Sequence, residues 1–149
     1  MPVRIFPVRA TALCLVAMLA ACTGGEQAGF AARYDMARSA LEAGETAQAI
    51  AGYRALMPEA GPLEPRLRLE LAHALLRAGD YTAAAHEAGS VAQGAQPEAR
   101  ATALAVKGVA EHELARAALA TGDSGQVTRS LLVSARAALG EALAAQTDL

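Results

Sequence analysis

From residue 30 onward hydrophobic positions recur every three or four residues, the spacing that lines them up on one side of an α-helix. Phe30, Tyr34, Ala37 and Leu41 form one such line, and Ala49, Ile50, Tyr53, Leu56 and Met57 a second. Leu67, Leu71, Ala74, Leu75 and Ala78 make a third, followed by Tyr81, Ala84, Ala85, Ala88 and Val91. Two longer helical stretches run from about Pro97 to Ala120 and from about Gln126 to Ala145. Gly44 and Gly79 separate the paired lines, and a residue free to take positive φ ends the first helix of each pair. Pro62, Pro65 and Pro97 stand at or near helix starts, where a missing N–H costs little. No alternating run of β-branched or aromatic residues follows Gly24, so the expected fold class is all-α.

Composition reinforces this expectation. The chain is 54% hydrophobic with only 3% aromatics and no Trp, so alanine, the strongest helix former, carries much of the apolar content. A core poor in large side chains buries less apolar area per residue, so its stability on its own is in question. The formal net charge is −2. That balance disfavours nucleic acid, which requires clustered Lys and Arg to displace counterions.

The first 22 residues differ from the rest. Arg4 and Arg9 supply a positive start, Ala10 to Ala21 is apolar, and Leu19-Ala20-Ala21-Cys22 follows. An apolar run of about a dozen residues is too short to span a bilayer, which takes about 20, and reads as the core of an export signal. The last four residues resemble the bacterial lipobox. The resemblance implies cleavage before Cys22 and acylation of that cysteine, with a membrane anchor made of lipid. The expected organisation is a signal peptide over 1–21, a lipidated cysteine and tether over 22–29, and a helical domain over 30–149. Thr23 in place of Asp after the cysteine resembles the enterobacterial pattern for sorting to the outer membrane, with the domain facing the periplasm. Gly24, Gly25 and Gly29 around Glu26 and Gln27 suit a flexible tether. With Cys14 in the discarded segment, no intrachain disulfide is expected.

The helical part also repeats itself. Gly44 matches Gly79, Glu45 matches Asp80 and Ala49 matches Ala84, all at a spacing of 35 residues. This resembles the tetratricopeptide repeat, a helix-turn-helix unit of about 34 residues, over roughly Phe30 to Gln96. Ala37 and Ala72, then Ala49 and Ala84, fall where that family's two helices approach, and Tyr53 fits its aromatic position. The family's Trp and Leu-Gly of the first helix are missing, and Ala88 stands where a second aromatic belongs. A third, longer unit turns at Gly122, 43 residues beyond Gly79, which makes about three hairpins in all. Three unrelated hairpins in a plain bundle fit the same periodicity.

The resemblance implies a concave groove lined by first helices: Tyr34, Arg38 and Glu42, then Leu69, His73 and Arg77, with Arg66 near its edge. Such a groove would bind a protein segment, through Arg on carboxylates and Tyr or Leu on apolar contacts. The function expected is an outer-membrane-anchored adaptor in the assembly of an envelope machine, a pilus or a secretion system, with a protein partner in the envelope and no nucleic acid. A self-associating structural lipoprotein, using Leu131, Leu132, Leu139 and Leu143 of the last helix, and an accessory regulator of an envelope enzyme are the alternatives.

Chemistry is hard to find in the remaining residues. Gly122-Asp-Ser-Gly125 resembles the nucleophile segment of trypsin-like proteases, but it joins two alanine-rich helices, and Ser124 is expected to cap the second. His73 and His86 lie on opposite sides of their hairpin, and Glu111 and Glu113 beside His112 are expected in solvent. No phosphate loop or dinucleotide fingerprint is present, and nothing calls for a catalytic residue, a metal or a cofactor.

Overall fold

Small residues at the crossing points set how closely this chain can bring its helices together. In the computed structural model, which describes residues 29–147, six helices follow one another without a strand among the described residues. The expected signal peptide, Cys22 and all but the last residue of the tether lie outside the described residues. Helix α1 covers 29–42, α2 Thr46–Leu56, α3 Glu64–Ala78, α4 Tyr81–Gly94, α5 Pro97–Ala120 and α6 Gln126–Thr147. Two short 3₁₀ turns, Met57–Glu59 and Gly61–Leu63, join α2 to α3 and place Pro58 and Pro62 in the linker. None of the described helices is long and apolar enough to cross a membrane.

The three expected turns share one backbone solution. Gly44, Gly79 and Gly122 have φ of 82°, 81° and 85°. The residue after each glycine donates to a carbonyl five positions back: Glu45 to Ala40 at 2.8 Å, Asp80 to Leu75 at 3.0 Å, and Asp123 to Ala118 at 3.0 Å. These bonds satisfy carbonyls that a helix end otherwise leaves without partners. Asp80 also caps α4, its carboxylate accepting the Ala83 N–H at 3.1 Å. The third turn departs from the sequence expectation. The side chain that reaches the backbone before α6 is that of Asp123, which accepts the Gly125 N–H at 2.8 Å, rather than that of Ser124. Asp123 closes this turn because its carboxylate spans two residues forward, where a Gly N–H is available.

Helices pack mainly in chain order, α2 on α3, α3 on α4, α4 on α5 and α5 on α6, with a lesser contact between α3 and α5. The large buried side chains, Tyr53, Leu56, Leu67, Leu71 and Leu75, gather at the α1–α3 end. Toward α6 the core thins to alanine: Ala103, Ala138 and Ala142 meet Val91, Ala92 and Leu104. Close approach compensates for small size there. A Cβ on Gly108 of α5 would lie 2.7 Å from Leu139 Cγ of α6, so the leucine seats directly on the α5 backbone.

The same device operates between α1 and α2. A Cβ on Gly52 would lie 2.8 Å from the Ala37 Cβ, and neither group can rotate away. Gly52→Ala is expected to destabilise the chain by about 1–3 kcal/mol through overpacking, despite alanine's better helix propensity. Adding Ala37→Gly should recover a large part of the loss in urea denaturation; no recovery would mean that the α1–α2 contact is not the cause.

Candidate functional site

The face shared by α1 and α3 carries most of the expected groove residues, and they divide into two groups. Phe30 and Tyr34 are one turn apart on α1, while Arg66, Leu67 and Glu70 lie along the start of α3. Here side chains from both helices meet. The Tyr34 hydroxyl donates to Glu70 Oε1 at 3.2 Å, and the Arg66 guanidinium carbon lies 5.9 Å from the centre of the Tyr34 ring. That distance allows a cation–π contact. Beneath them Tyr53 tilts at 56° to Tyr34, with ring centres 6.1 Å apart. Burial is the main cause pushing the Tyr53 phenol up to about 12, with the Glu70 carboxylate adding to it.

Beside this cluster opens a cleft of about 210 Å³, lined by Phe30, Ala31, Tyr34, Asp35, Leu63, Arg66 and Leu67. Leu63 is 51% exposed although it borders this apolar space. A wider recess shares Phe30, Ala31 and Leu63 with the cleft and ends at Arg33 and Glu59, whose ion pair ties α1 to the α2–α3 linker. The arrangement can hold an apolar side chain between Phe30 and Leu63, with Arg66 at the rim to meet a carboxylate.

The second group is committed elsewhere. Arg38 bonds Glu42 on its own helix at 3.0 Å, both side chains exposed, and this hydrogen bond is the main cause raising the Arg38 pKa above the ordinary guanidinium value. Arg77 Nη1 donates to the Leu41 carbonyl at 2.8 Å, capping the end of α1 from α3. Leu69 is half-buried and packs on the interior apolar clusters of α4 and α5. His73, one turn further along α3, is half-buried.

Sequence reasoning passed over Leu63, Asp35 and Glu70. Glu70 sits between Leu69 and Leu71 and has no pattern of its own, while Leu63 lies in the linker outside any helical period. An apolar residue after Gly-Pro at the threshold of a helix was the one available signal.

Glu111, expected in solvent, is buried instead. Its side chain is 12% exposed and takes the Lys107 ammonium at 2.7 Å, with Lys107 also donating to Ser134 Oγ of α6 at 2.8 Å. Glu113, also expected in solvent, is half-buried and pairs with the exposed Arg116. Each step along a helix turns about 100°, so the two steps from Glu111 to Glu113 reach nearly the opposite side, with Glu111 in the α5–α6 seam and Glu113 beside Arg116. His86 and His112 are exposed, each within 4 Å of the glutamate that follows it. Among the described residues no three His, Cys, Asp or Glu side chains come together as a metal site would require.

No family model, curated protein or solved structure matches this chain.

Proposed function

We propose that this chain is a lipid-anchored adaptor of the bacterial envelope, a tetratricopeptide-like array of three hairpins that holds a segment of a protein partner on its α1–α3 face. The observation that carries the reading is the cleft beside Tyr34, where an open apolar space, an exposed leucine and an arginine stacked on tyrosine stand together. Tyr and Arg are among the residues that concentrate binding energy in protein interfaces, and here both border an open apolar cleft. The shared backbone geometry of the three glycine turns supports the repeat. The lipid anchor rests on Arg4, Arg9, the apolar run and Cys22, and the outer membrane as its location on Thr23. Assembly of a pilus or secretion system is the role in which such an adaptor fits best.

Placing a photoreactive amino acid at Leu63 or Arg66 in living cells tests the groove, with the exposed His86 on α4, the other helix of the same hairpin, as reference. The expected result is one discrete crosslinked protein from 63 and 66 that is absent from 86. Crosslinks equal at all three positions would refute the groove. Cys22→Ser is expected to move the chain from the membrane to the soluble envelope fraction, and continued acyl labelling of that variant would refute the anchor.

A further inference from the structure

The last helix shows a second surface, away from the cleft. Helix α6 buries Thr128, Ala135, Ala138 and Ala142 against its neighbours. Beside that buried strip, Leu132, Leu139 and Leu143 are 37%, 37% and 63% exposed. With Arg136 they follow a four-three-four spacing, the spacing of a coiled-coil seam. A single positive charge therefore interrupts an otherwise apolar line. Arg136 is exposed and makes no hydrogen bond or ion pair with the described residues, and the one described acid of α6, Glu141, is already bound to Arg100.

Gly140 adds an independent observation on the same side of the helix, one turn from both Arg136 and Leu143. Glycine weakens a helix interior relative to alanine, and this chain fills most of the small positions in its helices with alanine. Gly52 and Gly108 have a reason inside the molecule, since a Cβ at either would collide with the adjacent helix. Among the described residues a Cβ on Gly140 meets nothing within 4 Å. No packing among those residues accounts for this glycine, whereas close approach of an outside backbone would.

We infer that this face of α6 docks an acidic amphipathic helix of another protein, which crosses closely at Gly140, covers Leu132, Leu139 and Leu143, and sets a carboxylate on Arg136. A second copy of the chain is the poorer occupant on charge: self-pairing would bring two Arg136 guanidiniums into one seam with no free carboxylate from α6 to meet them. A polar residue at one seam position selects partner and register, which is the role assigned here to Arg136.

The test uses the full chain in nanodiscs of neutral lipid and two labelled synthetic peptides of about 20 residues, long enough to hold a helix. Both carry leucines at seam spacing; one places Glu opposite Arg136, the other Lys. Anisotropy is expected to show the Glu peptide bound about tenfold more tightly than the Lys peptide, with Arg136→Glu reversing the preference. Gly140→Ala should raise the melting temperature of the free chain and yet weaken the Glu peptide, a combination that a merely structural role cannot produce. Equal binding of the two peptides, binding of neither, or an unchanged affinity in Gly140→Ala would each overturn the assignment. So would a doubled mass of the free chain that Leu143→Ser, at the most exposed leucine of the line, abolishes, which would put a second copy on this face.

Discussion

Tyr53→Ala is expected to lower the unfolding free energy by about 3–5 kcal/mol, the range for truncating a fully buried aromatic side chain. Tyr53 has no exposed surface and is the bulkiest of the fully buried residues. Its surroundings include Ala37, Ala49, Leu56 and Leu67, and the alanines have no side chain able to swing into the space left behind. Tyr53→Phe should behave in the opposite way. The phenol oxygen is buried without a hydrogen-bond partner among the described residues, so removing it relieves an unsatisfied polar group and is expected to be neutral or stabilising by about 1 kcal/mol. The parent and Tyr53→Phe also separate by pH. Burial pushes the Tyr53 phenol up to about 12 from its ordinary 10, so the folded chain keeps a proton that the unfolded chain releases. Stability from this group is complete below pH 10 and falls between about 10 and 12, by about 1 kcal/mol per pH unit. Urea denaturation at pH 8 and pH 11 should show that slope in the parent relative to Tyr53→Phe. A loss of less than about 1 kcal/mol in Tyr53→Ala would mean that the α1–α3 core closes without it.

Removing the Lys107 ammonium by Lys107→Met is expected to cost about 3 kcal/mol, because it strands the Glu111 carboxylate in the α5–α6 seam. Lys107 reaches Glu111 and Ser134 at 2.7 and 2.8 Å, and a Cβ on Gly89 of α4 would lie 3.7 Å from its methylene stem. Glu111 Oε2 has no hydrogen-bond partner among the described residues, so the lysine is what makes its charge tolerable there. Replacing both partners, Lys107→Met with Glu111→Leu, should restore most of the loss, since an apolar pair of similar volume carries no desolvation cost. A double-mutant cycle by chemical denaturation measures this. Additive losses from the two single variants would show that the pair is not coupled. The Arg33–Glu59 pair, about half-exposed on both sides, serves as contrast and should contribute less than about 1 kcal/mol.

Much of the secondary structure was legible from residue types alone. Gly44, Gly79 and Gly122 mark the three helix ends because a left-handed turn residue is needed there, and Pro97 opens α5 because the first turn lacks N–H partners anyway. The periodic positions Ala37, Leu41, Tyr53, Leu67, Leu71 and Leu75 are all buried. The candidate site was half legible. Tyr34 and Arg66 come together, whereas Arg77 spans to the Leu41 carbonyl and Leu69 turns toward α4 and α5.

That division has a physical basis. Helix formation, helix ends and the apolar face of each helix depend on residues within about four positions of one another, so the sequence by itself determined an all-α chain of paired helices with a thin alanine core. Which charge is buried, which arginine is free and which leucine is left uncovered depend on residues that meet only across helices. Glu111 is inside because α6 brings Ser134 to Lys107, and Leu63 borders a cleft because α1 brings Phe30 beside it. Those meetings separate residues by 27 and 33 positions, beyond any local period, and only the tertiary structure decided them.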